Sequence, residues 1–123
     1  MKNIEYQIKY SKIKNIYIQI KNGQVIIKAP KRVSKKQIEK LINETGLIPN
    51  KITIKEIKYA WGSCSSKKNI TINLELIKYS QKAIRYVILH ELCHIKHMNH
   101  SKEFWKLVEK YMPEYKEIQK EFQ

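Results

Sequence analysis

Residues 81–95 constrain this chain more than any other stretch. Ile84, Val87, Ile88, Leu89, Leu92, Cys93 and Ile95 place apolar side chains on most sides of a helix. Starting from the N-cap residue Ser80, the segment reads as a helix buried in the middle of the protein. Yet His90, Glu91 and His94 lie inside the same run. Buried polar groups must be paired, so a buried helix carries these three only for a reason. Such a conflict between pattern and local chemistry is where function is expected. The composition sharpens the point, because all four histidines (His90, His94, His97 and His100) fall in this neighbourhood.

Residues 90–94 read His-Glu-Leu-Cys-His. Side chains four apart on a helix share a face at a spacing of about 6 Å, so two imidazoles can converge on one metal ion. Glu91 follows the first histidine, where its carboxylate can reach a water in an open coordination position. This is the arrangement of zinc peptidases, with two histidine ligands and a glutamate general base. Zinc there makes water a nucleophile near neutral pH and polarises the substrate carbonyl. Glu91 would take the proton and later return it to the leaving amine.

A catalytic zinc needs a third protein ligand. His97 lies on the same stripe but about 10 Å along the axis from His90, and three ligands in a row make a poor tetrahedral cap. His100 lies six residues beyond His94, past a helix break at Met98-Asn99, and can approach from another direction. Glu103 would give a two-histidine, one-glutamate site instead. The spacing favours His100 and leaves Glu103 and His97 as alternatives. The chain contains no aspartate, and all 11 acidic residues are glutamate. That excludes Ser-His-Asp hydrolysis, aspartic dyads and EF-hand loops. Partners for the histidines other than the metal must then be glutamate, backbone carbonyl or water. Among Tyr59, Tyr79, Tyr86, Tyr111 and Tyr115, no spacing singles out an oxyanion donor.

The rest of the chain reads as a small antiparallel sheet with one helix, followed by helices. Ile4, Tyr6, Ile8 and Tyr10 alternate with polar residues, and Ile16, Ile18 and Ile20 do the same before an Asn22-Gly23 turn into Val25–Ile27. Pro30 closes that hairpin. Ser34 and Gln37 form a capping box for a helix through Ile38, Leu41 and Ile42 that stops near Gly46. Ile52, Ile54 and Ile57 alternate with a register break before Trp61. A turn around Gly62–Lys68 leads into a strand through Ile70, Ile72 and Leu74. Asn99 or Ser101 starts a helix carrying Phe104, Trp105, Leu107 and Val108, and Pro113 precedes a polar terminal helix. No repeat or linker divides residues 1–123, so one α+β domain is expected, with a hairpin-and-helix part at 1–50 and the metal-site part at 51–123. Its twisted sheet would pack on the central motif-bearing helix.

Beyond the histidines, Trp61-Gly62-Ser63-Cys64-Ser65-Ser66, Asn69–Asn73, Tyr86–His94, Asn99–Trp105 and Met112-Pro113 follow one another in order. This series resembles the YgjP-like family of small zinc metallopeptidases, relatives of the SprT-like proteases, most densely over residues 55–115. The resemblance implies a zincin-like fold, one Zn2+ per chain, His90, His94 and His100 as ligands, and Glu91 as catalytic base. It also implies peptide or protein substrates. Trp61, Gly62, Ser63 and Cys64 become candidates for a cleft edge on which a peptide lies as an added strand. The plainer reading of that segment is a tight Gly62 turn packing Trp61 and a small thiol. Cys64 is also a candidate fourth, inhibitory zinc ligand. Cys93 is expected to face the core as a small apolar group.

The net charge of +14 comes from 25 basic and 11 acidic residues. Residues 1–58 carry 14 basic residues against 4 glutamates, a balance of +10, which leaves +4 for the remainder. That half is a candidate for weak nucleic-acid or polyanion association. Only two of the basic residues are arginine, so guanidinium forks for base readout are scarce. Two cysteines make no disulfide framework, and neither a signal peptide nor a membrane span is evident, so a cytoplasmic protein is expected. The competing functional class is a basic nucleic-acid module or interaction scaffold in which zinc is structural.

Overall fold

A computed structural model describes the backbone at residues 7–10, 17–21 and 24–28, and backbone and side chains over 33–123. Strands β1 (Gln7–Tyr10), β2 (Tyr17–Lys21) and β3 (Gln24–Lys28) precede helix α1 (Lys35–Thr45). Strands β4 (Lys51–Lys55), β5 (Gly62–Cys64) and β6 (Asn69–Asn73) follow, then a 3-10 turn at Leu74–Lys78. Helices α2 (Gln81–Cys93), α3 (Lys102–Tyr111) and α4 (Tyr115–Gln119) come next, and a second 3-10 turn covers Lys120–Phe122. Among the described residues, no helix is long and apolar enough to cross a membrane.

The α+β class is as expected, but the main sheet is mixed rather than wholly antiparallel. Its order is β1-β4-β6-β5, with β1 parallel to β4, β4 parallel to β6, and only β5 antiparallel to β6. Alternation reports which face of a strand is buried and carries no information on strand direction. Direction is set here by connections that cross between non-neighbouring strands. β2 and β3 form a separate antiparallel pair with Lys21 opposite Gln24. The Asn22-Gly23 turn, Ile4, Tyr6, Ile16 and Pro30 lie outside the described residues.

The buried face of the sheet is Ile52 and Ile54 on β4 beside Ile70 and Ile72 on β6, in register. These four pack into one core with Ile38, Leu41 and Ile42 of α1 and with most of α2. Helix α2 is apolar nearly all round because α1, α3, α4, β5 and β6 all pack on it. Its start is fixed by Ser80, whose hydroxyl accepts from the Ala83 amide at 3.1 Å. At α1 the capping box forms only in part. Ser34 Oγ accepts from Gln37 N at 3.4 Å, but the Gln37 side-chain Nε2 donates to the Gln81 carbonyl at 3.2 Å instead of turning back. Gln37 thus ties α1 to the first turn of α2. Gly46 ends α1 with φ +70°, the left-handed region that glycine enters at little cost.

The 57–68 segment also differs from expectation. Gly62 begins a strand and does not make the turn. The turn falls later, at Ser65–Lys68, where Lys68 takes φ +65°. Asn73 holds the irregular stretch before β5. Its Nδ2 donates to the Ile57 and Ala60 carbonyls, both at 2.9 Å, while its Oδ1 accepts from Glu75 N at 3.0 Å. The backbone N–H of Asn73 also donates to the Trp61 carbonyl at 2.9 Å.

Candidate active site

The last turn of α2 presents His90 and His94 on one face, as positions four apart require. The chain then leaves the helix at His94, turns through residues 95–99, and re-enters helix at α3 after Ser101, whose hydroxyl accepts from Phe104 N at 3.3 Å. That reversal carries His100 back over the two helical histidines. The three Nε2 atoms form a triangle with separations of 3.1 Å (His90–His100), 3.1 Å (His94–His100) and 3.3 Å (His90–His94). Among the described residues this is the one group of three or more His, Cys or Glu side chains whose donor atoms lie within 4.8 Å of one another. Neither Glu103 nor His97 belongs to it.

The triangle fits a metal. Nitrogen donors about 2.0–2.1 Å from a tetrahedral zinc sit roughly 3.3–3.4 Å apart. His94 Nδ1 lies 2.9 Å from the His97 carbonyl, which can only accept, so Nδ1 holds the ring proton and Nε2 offers a lone pair. Three ring nitrogens this close cannot all be satisfied by N–H···N bonds, since each ring directs one lone pair or proton along one axis. A cation among them satisfies all three. His97 takes part only through its backbone, as the acceptor that orients His94.

Burial prepares the imidazoles for such a role. His90 is pushed down to about 3, first by burial and then by the neighbouring His94 and His100. His94 is lowered too, chiefly by burial, against an opposing contribution from its bond to the His97 carbonyl. Both rings are therefore neutral at physiological pH. Phe104, fully buried, stacks on His94 with centroids 4.4 Å apart, and Trp105 stacks on His100 at 5.8 Å. These rings limit how far the imidazoles can rotate.

Glu91 is 6% exposed, and burial alone pushes its carboxyl up to about 7. It faces β5. A Cβ added to Gly62 would sit 2.9 Å from Glu91 Cγ and 3.1 Å from Oε2, so the glycine leaves the space the carboxylate occupies. Gly62 is thus tied to Glu91 by close approach, not by turn geometry. His90, Glu91, Trp61, Gly62, Tyr86, Val87, Gln119 and Phe122 line a cleft of about 260 Å³.

The neighbouring residues divide. Trp61 packs at the cleft wall, edge-on to Tyr79 at 4.9 Å and beside Phe122 at 5.5 Å. Ser63 and Cys64 continue the edge strand. Cys64 is outside the histidine group, with its thiol directed to the Ser65 carbonyl at 3.6 Å and held up at about 11, by burial and then by Glu91. Cys93 is fully buried in the core with its thiol raised to about 12. Sequence reasoning missed Gln119 and Phe122, because residues 115–122 read as a polar helix. Tyr115 is in fact buried there, and Ile118 and Phe122 pack on the core.

A profile of the YgjP-like metallopeptidase domain matches residues 38–123. The chain belongs to the YgjP-like metallopeptidase family. Its fold is similar to the crystal structure of the metallopeptidase zymogen abylysin of Pyrococcus abyssi, at 29% identity and TM-score 0.62 over 70% of this chain and 88% of that one. It is also similar to the metallopeptidase zymogen jannalysin of Methanocaldococcus jannaschii, at 28% identity and TM-score 0.60 over 72% and 92% of the two chains. No curated protein matches the sequence.

Proposed function

We propose that this YgjP-like metallopeptidase hydrolyses peptide bonds with a single zinc ion held by His90, His94 and His100, and with Glu91 as general base. The observation that carries this reading is the triangle of Nε2 atoms at 3.1–3.3 Å beside a buried carboxyl. Zinc bound there supplies Lewis acidity, making water a nucleophile near neutral pH and polarising the scissile carbonyl. The histidines contribute neutral donors at fixed angles. Glu91, with its carboxyl near 7, is matched to accept a proton from the attacking water and to deliver it to the departing amine.

Strand β5 is an edge of the sheet and borders the cleft through Gly62, so a substrate backbone can pair with Gly62–Cys64 as an added strand. The wall beyond it, formed by Trp61, Tyr86, Val87 and Phe122, is mainly apolar and contains no lysine despite the charge of the chain. A structural zinc would be closed by four protein ligands. Three donors beside a cleft favour a catalytic ion.

Peptide-cleavage profiling of the zinc-loaded chain, run beside Glu91→Gln, tests the reading. Cleavage by the wild type, reduced about 10²–10⁴-fold in a zinc-replete Glu91→Gln chain, is the expected result. Equal cleavage by both would remove Glu91 as the base. Zinc uptake and salt-dependent nucleic-acid binding without any cleavage would favour the structural-zinc alternative.

A further inference from the structure

His94 and His90 are held in different ways. His94 donates from Nδ1 to a backbone carbonyl one short turn away, a partner the chain supplies wherever the helix ends this way. His90 Nδ1 instead meets a side chain, the phenol oxygen of Tyr86, at 3.3 Å. That oxygen accepts in turn from the Gln119 side-chain amide at 2.7 Å. Tyr86 is one turn earlier on α2, and Gln119 comes from the far end of α4.

The donor and acceptor inventory permits two directions for the Tyr86–His90 bond, and only one of them leaves His90 Nε2 bare for a metal. A phenol oxygen can accept two hydrogen bonds while donating one. Gln119 Nε2–H occupies one acceptor position, and the second is open to His90 Nδ1–H. In that arrangement the His90 ring carries its proton on Nδ1 and leaves Nε2 bare toward His94 and His100. If the phenol instead donated to Nδ1, the proton would sit on Nε2 and block the triangle. The position of the phenol therefore bears on whether His90 can serve as a ligand.

The segment that supplies Gln119 is itself anchored. Glu121 accepts from Ser80 N at 2.8 Å and from Ser80 Oγ at 2.7 Å, tying residues 115–122 to the start of α2. Phe122 packs between Trp61, Tyr79 and Tyr86. One segment thus braces α2 at its start and at its middle, one turn before His90.

We propose that Tyr86 and Gln119 are positioning residues for the metal site: together they hold the His90 imidazole in the orientation and tautomer that present Nε2 to the ion. This rests on the zinc reading above. It assigns a task to residues 115–122 that packing alone does not require.

The test is zinc affinity of the full chain, by competition with a chromophoric chelator, together with the visible spectrum of the cobalt-substituted chain. Tyr86→Phe keeps the ring and removes the oxygen. It is expected to weaken zinc affinity about 10–100-fold and to shift the cobalt bands. Gln119→Met, at a half-buried position, is expected to act in the same direction by a smaller factor. A purely structural role would lower the melting temperature of the metal-free chain while leaving affinity and spectrum unchanged, and that result would overturn the proposal. Should Tyr86→Phe fail to fold, Gln119→Met decides by the same two readouts. A wild-type chain that takes up no zinc would overturn the metal reading and this relay with it. Zinc uptake by the wild type, with unaltered affinity in both variants, would overturn the relay alone.

Discussion

Ile88 and Glu91 sit one turn apart on α2 and are almost equally buried, at 0% and 6% exposed. Their burial has opposite consequences. Covering an isoleucine side chain stabilises the fold by roughly 1.5–3 kcal/mol. Covering Glu91 lifts its carboxyl from 4.5 to about 7, a cost of roughly 3 kcal/mol wherever the group must be ionised. The first three turns of the helix are held in place by what they bury. Its last turn buries Leu92 and Cys93 as well, and these apolar contacts together with the earlier turns offset the cost of burying Glu91. A site that is unfavourable on its own needs a neighbour with stability to spare, and here both lie on one helix.

This contrast predicts that substitutions at the two ends of α2 and its surroundings separate stability from chemistry. The largest effect is expected at the triangle. His94→Ala should abolish stoichiometric zinc binding and lower peptide hydrolysis by at least about 10³-fold, and chelation of the wild type should do the same reversibly. Metal analysis beside a cleavage assay reads both.

Glu91→Gln should keep the zinc and reduce hydrolysis by about 10²–10⁴-fold. The same change should stabilise the metal-free chain, with a definite pH dependence. Between about 4.5 and 7 the folded state binds a proton at Glu91 that the unfolded state releases, so stability is lost as pH rises through this range. The variant should therefore be more stable than wild type at pH 8, by about 2–3 kcal/mol, with the gain vanishing below about pH 4.5. Denaturant titrations of both chains at the two pH values measure it. A gain that persisted at low pH would point to packing instead.

Ile54→Ala, in the fully buried sheet face, should cost about 2–5 kcal/mol of stability while leaving the kcat of the folded fraction unchanged. Gly62→Ala should do the reverse. The added methyl must displace Glu91, so kcat should fall roughly 10–100-fold with zinc content retained. The smallest effect is expected on the outer surface. Arg85 reaches Glu44 at 3.1 Å with both side chains more than a third exposed, so Arg85→Ala should cost less than about 1 kcal/mol.

What could be read from the sequence was local. Ser34, Ser80 and Ser101 act as helix caps because a hydroxyl and an amide two or three residues later meet whenever the helix starts there. The pairing of His90 with His94 follows from helical spacing alone, and the return of His100 needed only a break after His94. Three features depend on contacts between distant segments and left no periodic trace. Asn73 secures the carbonyls of Ile57 and Ala60, Gly62 makes room for Glu91 from the next layer, and Gln119 reaches Tyr86 across 33 residues of sequence. The parallel pairing of β4 with β6 was hidden for the same reason, since Ile52, Ile54, Ile70 and Ile72 alternate identically in either direction.

An anomalous-scattering map of zinc-loaded crystals shows which side chains surround the ion. One peak per chain is expected, about 2.0–2.1 Å from Nε2 of His90, His94 and His100, with an open position on the Glu91 side. A peak closed by Glu103 or Cys64, or one located away from the three histidines, would contradict an open three-histidine site.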